Sequence, residues 1–343
     1  MNLLEIDGSF GEGGGQILRS AVSLACIMQK PIHIKNIRHN RKIPGLRAQH
    51  LTTLQILANV CDAKTEGMNL GSTSITFIPG KMKDAVLSEN VGTAGSITLV
   101  LQALIPVVSL SGKKLQLTIT GGTDVPWSPT TAYTQYVFAE AYSRIGIEFS
   151  MKIRKRGYYP KGGGLVDVVI NPCKRILPIS FSRRVEKTAK IIGSFTGLDE
   201  QILNSLEKTK TLLEERQFAT QMQCSQETAK NPGGSLLIFS SDSSSVIGAD
   251  ELLDIKNIAS LGTKSFLEFT KSNLGVDVNL SDMLVVPMSF CQETSTFSVR
   301  HISKHLETNL YITSKITGCK YGVGKIDGGY EVRIRGESNP GIK

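Results

Sequence analysis

Apolar positions recur along this chain at two spacings, and the spacing switches repeatedly from one segment to the next. Residues 3–6 read as a short strand, and residues 16–28 place Ile17, Val22, Leu24, Ala25 and Met28 at helical intervals. Residues 31–37 alternate as a strand. Residues 47–60 return to helical spacing through Leu51, Leu54, Ile56, Leu57 and Val60, and two short strands follow near 64–66 and 74–78. The unit is βαβαββ. It recurs as a strand at 85–87, a helix at 94–109, a strand at 114–120, a helix at 130–145 and strands at 147–153 and 164–170. A third copy is assembled from a helix at 282–290, a strand at 296–300, a helix at 305–316 and a hairpin turning at Asp327, Gly328 and Gly329. Its first strand falls at 175–179. The hundred or so residues between carry a strand at 189–195, a charged amphipathic helix at 199–216, a strand at 235–239 and mostly helix at 249–272. The pattern predicts an α/β (α+β) protein with three repeated βαβαββ units in a large domain, residues 1–181 and 276–339, and a smaller inserted αβ domain at 182–275.

Composition narrows the class. A chain of 343 residues with 40% hydrophobic residues and 33 glycines has material for a sizeable core, which excludes disorder, collagen and coiled coil. The most apolar stretch, 97–110, is only fourteen residues long and contains Gln102 and Pro106, while the N-terminus carries Glu5, Asp7 and Glu12 without a basic segment. Neither a membrane span nor a signal peptide is expected. The six cysteines show no CxxC pair and no metal-ligand spacing, which argues against a disulfide framework or zinc site and for a reducing cytoplasm.

The net charge of +9 informs through its distribution. Between Glu12 and Asp62 there is no acid, yet Arg19, Lys30, Lys35, Arg38, Arg41, Lys42 and Arg47 all fall there with His33, His39 and His50. A second acid-free run between Phe149 and Val166 holds Lys152, Arg154, Lys155, Arg156 and Lys161. Either run alone reads as a solvated face. Two of them, each beside a triple glycine, point to nucleotide phosphates or a polyanion.

The common nucleotide and hydrolase motifs are absent: no GxxxxGK[ST], HExxH, GxSxG or helix-opening GxGxxG occurs. Glycines instead mark a strand-to-helix corner, Gly11-Glu12-Gly13-Gly14-Gly15-Gln16. A tight turn accounts for one or two of the three consecutive ones and less well for all three; a site where backbone amides approach an anion at a helix N-terminus accounts for them. Glu12 beside a phosphate calls for a cation between them, which makes it a candidate Mg²⁺ or Mn²⁺ ligand. The second cluster, Arg156-Gly157-Tyr158-Tyr159-Pro160-Lys161-Gly162-Gly163-Gly164, joins two strands and as a bare hairpin needs no function.

That second cluster resembles the signature of the RNA 3′-terminal phosphate cyclase family, and Asp7-Gly8 with Gly11 to Arg19 resembles its opening motif. The resemblance continues through Pro44 to His50, Gly95-Ser96 with Leu99 to Gln102, Gly121-Gly122-Thr123-Asp124 and His305-Leu306-Glu307-Thr308-Asn309, in family order and weakest across the insert. It implies three βαβαββ units with an inserted domain. It also implies a reaction in which ATP adenylylates a histidine, AMP passes to an RNA 3′-phosphate, and the neighbouring 2′-oxygen closes a 2′,3′-cyclic phosphate with release of AMP.

On that basis His305 is the nucleophile, a neutral imidazole being competent toward phosphorus; read alone it is a helix-start residue with a locally bonded ring. His33 and His39 read as structural or exposed, and His301 as ambiguous. Arg19, Arg38 and Arg41, with Gln49 and His50, match residues at the phosphate and RNA-end site, where guanidinium forks suit phosphoryl oxygens. Gln102 and Pro129 match nucleotide contacts, Pro129 packing on adenine. Asp282, by position a simple N-cap, matches a nucleotide-site residue that orients the histidine. At Asn279 and Met283 the family often has an aromatic and a glutamine; the departure loosens the expected ATP selectivity. The rivals are a non-catalytic relative binding RNA in ribosome assembly, which would lack the histidine, and carboxyvinyl transfer on a related architecture, whose clamp motifs are missing.

Overall fold

A computed structural model describes residues 3–252 and 255–337. The chain opens with β1 (Leu4–Asp7), α1 (Gly15–Met28), β2 (Ile32–Lys35), α2 (Ala48–Val60), β3 (Lys64–Glu66) and β4 (Ile75–Ile78). Next come β5 (Ala85–Asn90), α3 (Ile97–Leu110), β6 (Leu115–Gly121), α4 (Thr131–Tyr133), a π-helical turn over Thr134–Phe138, α5 (Ala139–Ile145), β7 (Phe149–Lys155) and β8 (Gly164–Ile170). The middle of the chain forms β9 (Ser180–Phe181), β10 (Thr188–Phe195), α6 (Glu200–Glu215), β11 (Ala219–Gln226), β12 (Gly234–Asp242), β13 (Ser245–Glu251) and α7 (Ile258–Lys271). It closes with α8 (Val278–Met283), α9 (Val285–Met288), β14 (Ser295–Val299), α10 (Lys304–Thr317), β15 (Lys320–Ile326) and β16 (Gly329–Arg335).

These elements make a mixed α/β protein with four four-stranded sheets. Three sheets share one order, β1-β2-β4-β3, β5-β6-β8-β7 and β9-β14-β16-β15, each with its first pair parallel and the other two antiparallel. One apolar core runs through them, holding Leu24, Leu57, Leu104, Ile119, Val285 and Phe297. α1 lies at its centre, packed on α2, α3 and α10, which explains why eleven of its residues are buried. The fourth sheet, β11-β10-β12-β13, has its own core of Ile191, Phe195, Leu206, Ile238 and Phe266 under α6 and α7. Among the described residues no helix is long and apolar enough to cross a membrane. All six cysteines are free thiols.

Four expectations need correction. The strand expected at 175–179 is instead β9, because Pro178 lies within that segment and a proline cannot donate to a ladder; pairing with β14 begins at Ser180. The helix expected over 249–272 is strand β13 followed by α7, with residues 253 and 254 outside the described set, as are 338 and 339 at the end of the expected large domain. Val246, Ile247 and Ala249 are a buried run, and such a run carries no period that separates strand from helix. Strand β11 went unread, since its exposed edge residues are polar and only Met222 and Cys224 supply apolar alternation. The helix expected at 282–290 starts earlier, at Val278, and breaks between α8 and α9. Asp277 is its N-cap, accepting from the Asn279 and Leu280 amides, so Asp282 lies inside the helix and caps nothing.

Candidate active site

The loop from β1 to α1 is tight because side chains from three other segments press on it. At Gly11, φ is 67° and a Cβ would meet the Thr308 hydroxyl of α10 at 2.1 Å. At Gly15 a Cβ would lie 2.5 Å from His50 Nε2 of α2 and 3.1 Å from Arg19 Nη1. Gly14 is the N-cap of α1 and offers no side-chain cap, so the first amides of the helix are left for an outside acceptor.

Around this loop the structure gathers a histidine, a carboxylate and a set of cations. Glu12 Oε1 pairs with Arg41. Its Oε2 lies 3.2 Å from His305 Nδ1, a contact not aligned for a hydrogen bond, so this buried oxygen has no donor. His305 is the second residue of α10, whose N-cap Ser303 accepts from the Leu306 amide, and about half of its side chain is exposed. Burial first, then Arg19 and Arg41, hold its pKa below the ordinary histidine value. The imidazole is therefore neutral at pH 7. The Glu12 charge 3.2 Å from Nδ1 favours the tautomer with its proton on that nitrogen, which leaves the lone pair on Nε2.

His50 is different. It is buried, and burial together with Arg19, Arg38 and Arg47 pushes its pKa down to about 3. Its Nδ1 accepts from the Arg47 amide at 3.1 Å, which puts the proton on Nε2, the atom facing Gly15. His50 is a fixed neutral donor. Arg19 donates through Nη2 to Gln16 Oε1 at 2.6 Å and leaves a buried Nε unpartnered; burial lowers its pKa to about 10, with Asp282 opposing. Asp282 is buried, which pushes its pKa up to about 7, Arg19 pulling it back. Asn309 links this pair to α10, its Nδ2 donating to the Asp282 carbonyl at 2.8 Å and its Oδ1 accepting from Ser20 and Gln16 at 2.6 and 3.2 Å.

Behind Arg19 lies a cavity of about 20 Å³ lined by Gln102, Asp282, Met283 and Asn309 among others, room for one water molecule. The buried Oε1 of Gln102 has no partner there.

A family model described as RNA 3′-terminal phosphate cyclase matches residues 10–323 of the sequence. The chain belongs to the RNA 3′-terminal phosphate cyclase family. A relative of that name from Methanococcoides burtonii is 35% identical over 328 residues, spanning 94% of this chain and 97% of its own. Another, from Thermococcus kodakarensis, is 36% identical over 331 residues, 94% and 95% of the two chains, and one from Pyrobaculum aerophilum is 33% identical over 345 residues, 97% and 98%. Family membership makes the chain an enzyme of the cyclase class. Among solved structures the enolpyruvyl transferase NikO from Streptomyces tendae aligns with all of this chain and 50% of its own at 11% identity, with a TM-score of only 0.37.

Set against the cyclase expectations, the structure brings Glu12, Arg19, Arg41, His50 and His305 to one loop, and Gln102, Asp282 and Met283 to the adjoining cavity. Gln49 is one residue from His50 and its Oε1 accepts from the Ser96 amide at 3.0 Å, tying α2 to the start of α3. Pro129 accepts from Thr98 Oγ1, one helical turn before Gln102, and Asn279 is exposed one turn before Met283. Arg38 holds the loop beside the site: its Nη1 donates to the Ile43 and Gly45 carbonyls at 2.9 and 3.1 Å. His33 bridges Thr76 and Ser74 within its sheet, while His39 and His301 are exposed. Sequence reasoning missed Gln16 and Asn309 as connectors; the only signal was two amides on the apolar faces of α1 and α10. Among the described residues no group of three or more His, Cys, Asp or Glu converges to hold a metal. Glu12 alone, with its donor-free Oε2, fits the mode in which Mg²⁺ takes one carboxylate and fills its shell from phosphate oxygens and water.

Proposed function

We propose that this protein converts an RNA 3′-terminal phosphate to a 2′,3′-cyclic phosphate at the expense of ATP, with His305 carrying AMP. His305 Nε2 attacks the α-phosphorus of ATP and diphosphate leaves; the AMP passes to the RNA 3′-phosphate; the vicinal 2′-oxygen then attacks that phosphorus and expels AMP. The observation that carries the reading is the His305 environment: a neutral imidazole at a helix N-terminus, its Nδ1 facing Glu12 and two arginines beside it. Arg19, Arg41 and the His50 Nε2–H are donors for phosphoryl oxygens whose charge grows in the transition state. Because Arg19 and His50 are packed in place, they need no reorganisation. A bound Mg²⁺ or Mn²⁺ held by Glu12 would supply Lewis-acid polarisation of the phosphates. Pro129, Asn279, Met283, Gln102 and Asp282 are assigned to the nucleotide, Gln49 and Arg38 to shaping the RNA-end site, and residues 182–275 to a separate inserted domain. Incubation with α-labelled ATP followed by mapping of the modified residue tests the proposal. Label on His305, lost in His305→Ala while RNA binding persists, is the expected result; full labelling of that variant would overturn it.

A further inference from the structure

The second basic run is left without a task by the chemistry at His305, and the structure places it beside Trp127, the most exposed large hydrophobic side chain among the described residues. Trp127 is 92% exposed with φ at 63°, a left-handed backbone that bulky residues adopt rarely and that concentrates at functional sites. Pro126 and Pro129 flank it and stiffen the segment. Water gains nothing from an indole displayed on a rigid loop, so the display calls for a ligand with a flat face.

A second ring stands on the neighbouring loop. Thr123 N–H donates to the Gly157 carbonyl at 2.8 Å and Gly157 N–H to Thr123 Oγ1 at 3.0 Å, and Asp124 pairs with Tyr158. Trp127 and Tyr159, the latter 62% exposed, thus rise from two cross-bonded loops. Two exposed lysines accompany them: Lys161 on the same loop, and Lys230, whose Nζ would lie 3.0 Å from a Cβ at Gly163. Asn231 Nδ2 donates to the Tyr159 carbonyl at 2.8 Å. The Tyr159 loop also packs on the segment that leads into α3 and so toward the reaction site. A Cβ at Gly162 would lie 2.8 Å from Ala94 Cα, and two residues on, the Ser96 amide is held by Gln49, next to His50.

We infer that Trp127 and Tyr159, with Lys161 and Lys230, form a stacking site for the unpaired bases of RNA on the 5′ side of its 3′-terminal phosphate. Aromatic faces interleaved with cations along a groove are the chemistry by which single strands are held without sequence preference. Two rings and two lysines exceed what one mononucleotide occupies, so the polymer is the occupant rather than ATP. This inference rests on the cyclase reading for the choice of RNA and for the direction in which the strand runs.

Trp127 is the sole tryptophan of the chain, so its fluorescence reports the site directly. The wild-type protein is titrated with a 3′-phosphorylated oligoribonucleotide of unpaired sequence, with a 3′-phosphorylated mononucleoside, and with ATP. Saturable quenching by the oligomer that weakens with salt, and little by the other two, is expected. In Trp127→Ala or Tyr159→Ala the KM for the oligomer rises about tenfold, the KM for ATP in self-labelling stays put, and Trp127→Phe restores most of the loss. Quenching by ATP alone, or alanine variants that bind the oligomer like wild type, would overturn the inference. Salt-sensitive oligomer quenching in a protein that never labels with AMP would leave this site standing and remove the cyclase mechanism instead.

Discussion

Replacing His50 with asparagine removes a buried base whose charge the fold refuses. Its pKa falls from 6.5 to about 3, by burial and by Arg19, Arg38 and Arg47, so below pH 6.5 the unfolded chain binds a proton that the folded chain does not. The stability that His50 contributes is therefore fully present above pH 6.5 and is lost as pH falls from there toward 3. From those two values the His50 contribution falls by about 2 kcal/mol between pH 7 and pH 5, and by about 1.4 kcal/mol for each further pH unit. The ring is only 4% exposed, so solvent screening takes little from this figure. Asparagine retains an acceptor for the Arg47 amide, the bond that Nδ1 accepts now, and has no proton to gain. Denaturant unfolding at pH 7, 6 and 5 should show the wild type losing about 2 kcal/mol more than His50→Asn over that range. The buried acids Asp250, Asp277 and Asp282 titrate alike in both proteins and cancel. A direct check is the imidazole C2–H resonance missing from the variant's spectrum, which should not move in the wild type down to pH 5. If that resonance titrates near 6.5, or the two stabilities fall in parallel, the charged ring is accommodated and the fixed-donor argument fails.

Self-labelling with AMP should hold its rate as pH falls to 6.5 and decline only below it, because His305 titrates below the ordinary value; in Glu12→Gln, which lacks the charge favouring imidazolium, the inflection of the pH–rate profile should move lower still, and a move upward would refute the pairing. Gly15→Ala should destabilise the fold by about 1–3 kcal/mol and raise the KM for ATP, as its Cβ meets His50 Nε2; calorimetry and kinetics indistinguishable from wild type would show the loop yields freely. Arg156→Met leaves Asp124 buried without its cation, a pair at 2.9 Å with side chains only 6% and 0% exposed, and should cost about 3–5 kcal/mol in denaturant unfolding. Asn279→Tyr, at an exposed position on α8, should lower the KM for ATP by roughly tenfold to a hundredfold and sharpen discrimination against GTP, with the saturated labelling rate little changed.

Periodicity alone determined most of the elements, because a helix or strand with one buried face must repeat its apolar residues at 3.6 or 2. Strand β8 (Gly164–Ile170) and helix α2 (Ala48–Val60) were legible to within a residue for that reason. Where both faces are buried, as in β13, or the face is polar, as in β11, no period survives and pairing with neighbours decides the conformation. The glycine corner was likewise visible, since local backbone demands leave a mark in sequence, whereas His305 stood out only through the family resemblance. Their chemistry was not. Nothing in the order of residues says that Glu12 faces His305, 293 positions away, that His50 is too deeply set among arginines to take a proton, or that Asp282 lies within a helix instead of opening one. Charge state and orientation depend on burial and on the field of neighbours brought in by distant segments, and only the tertiary packing of α1, α2 and α10 around one loop sets them.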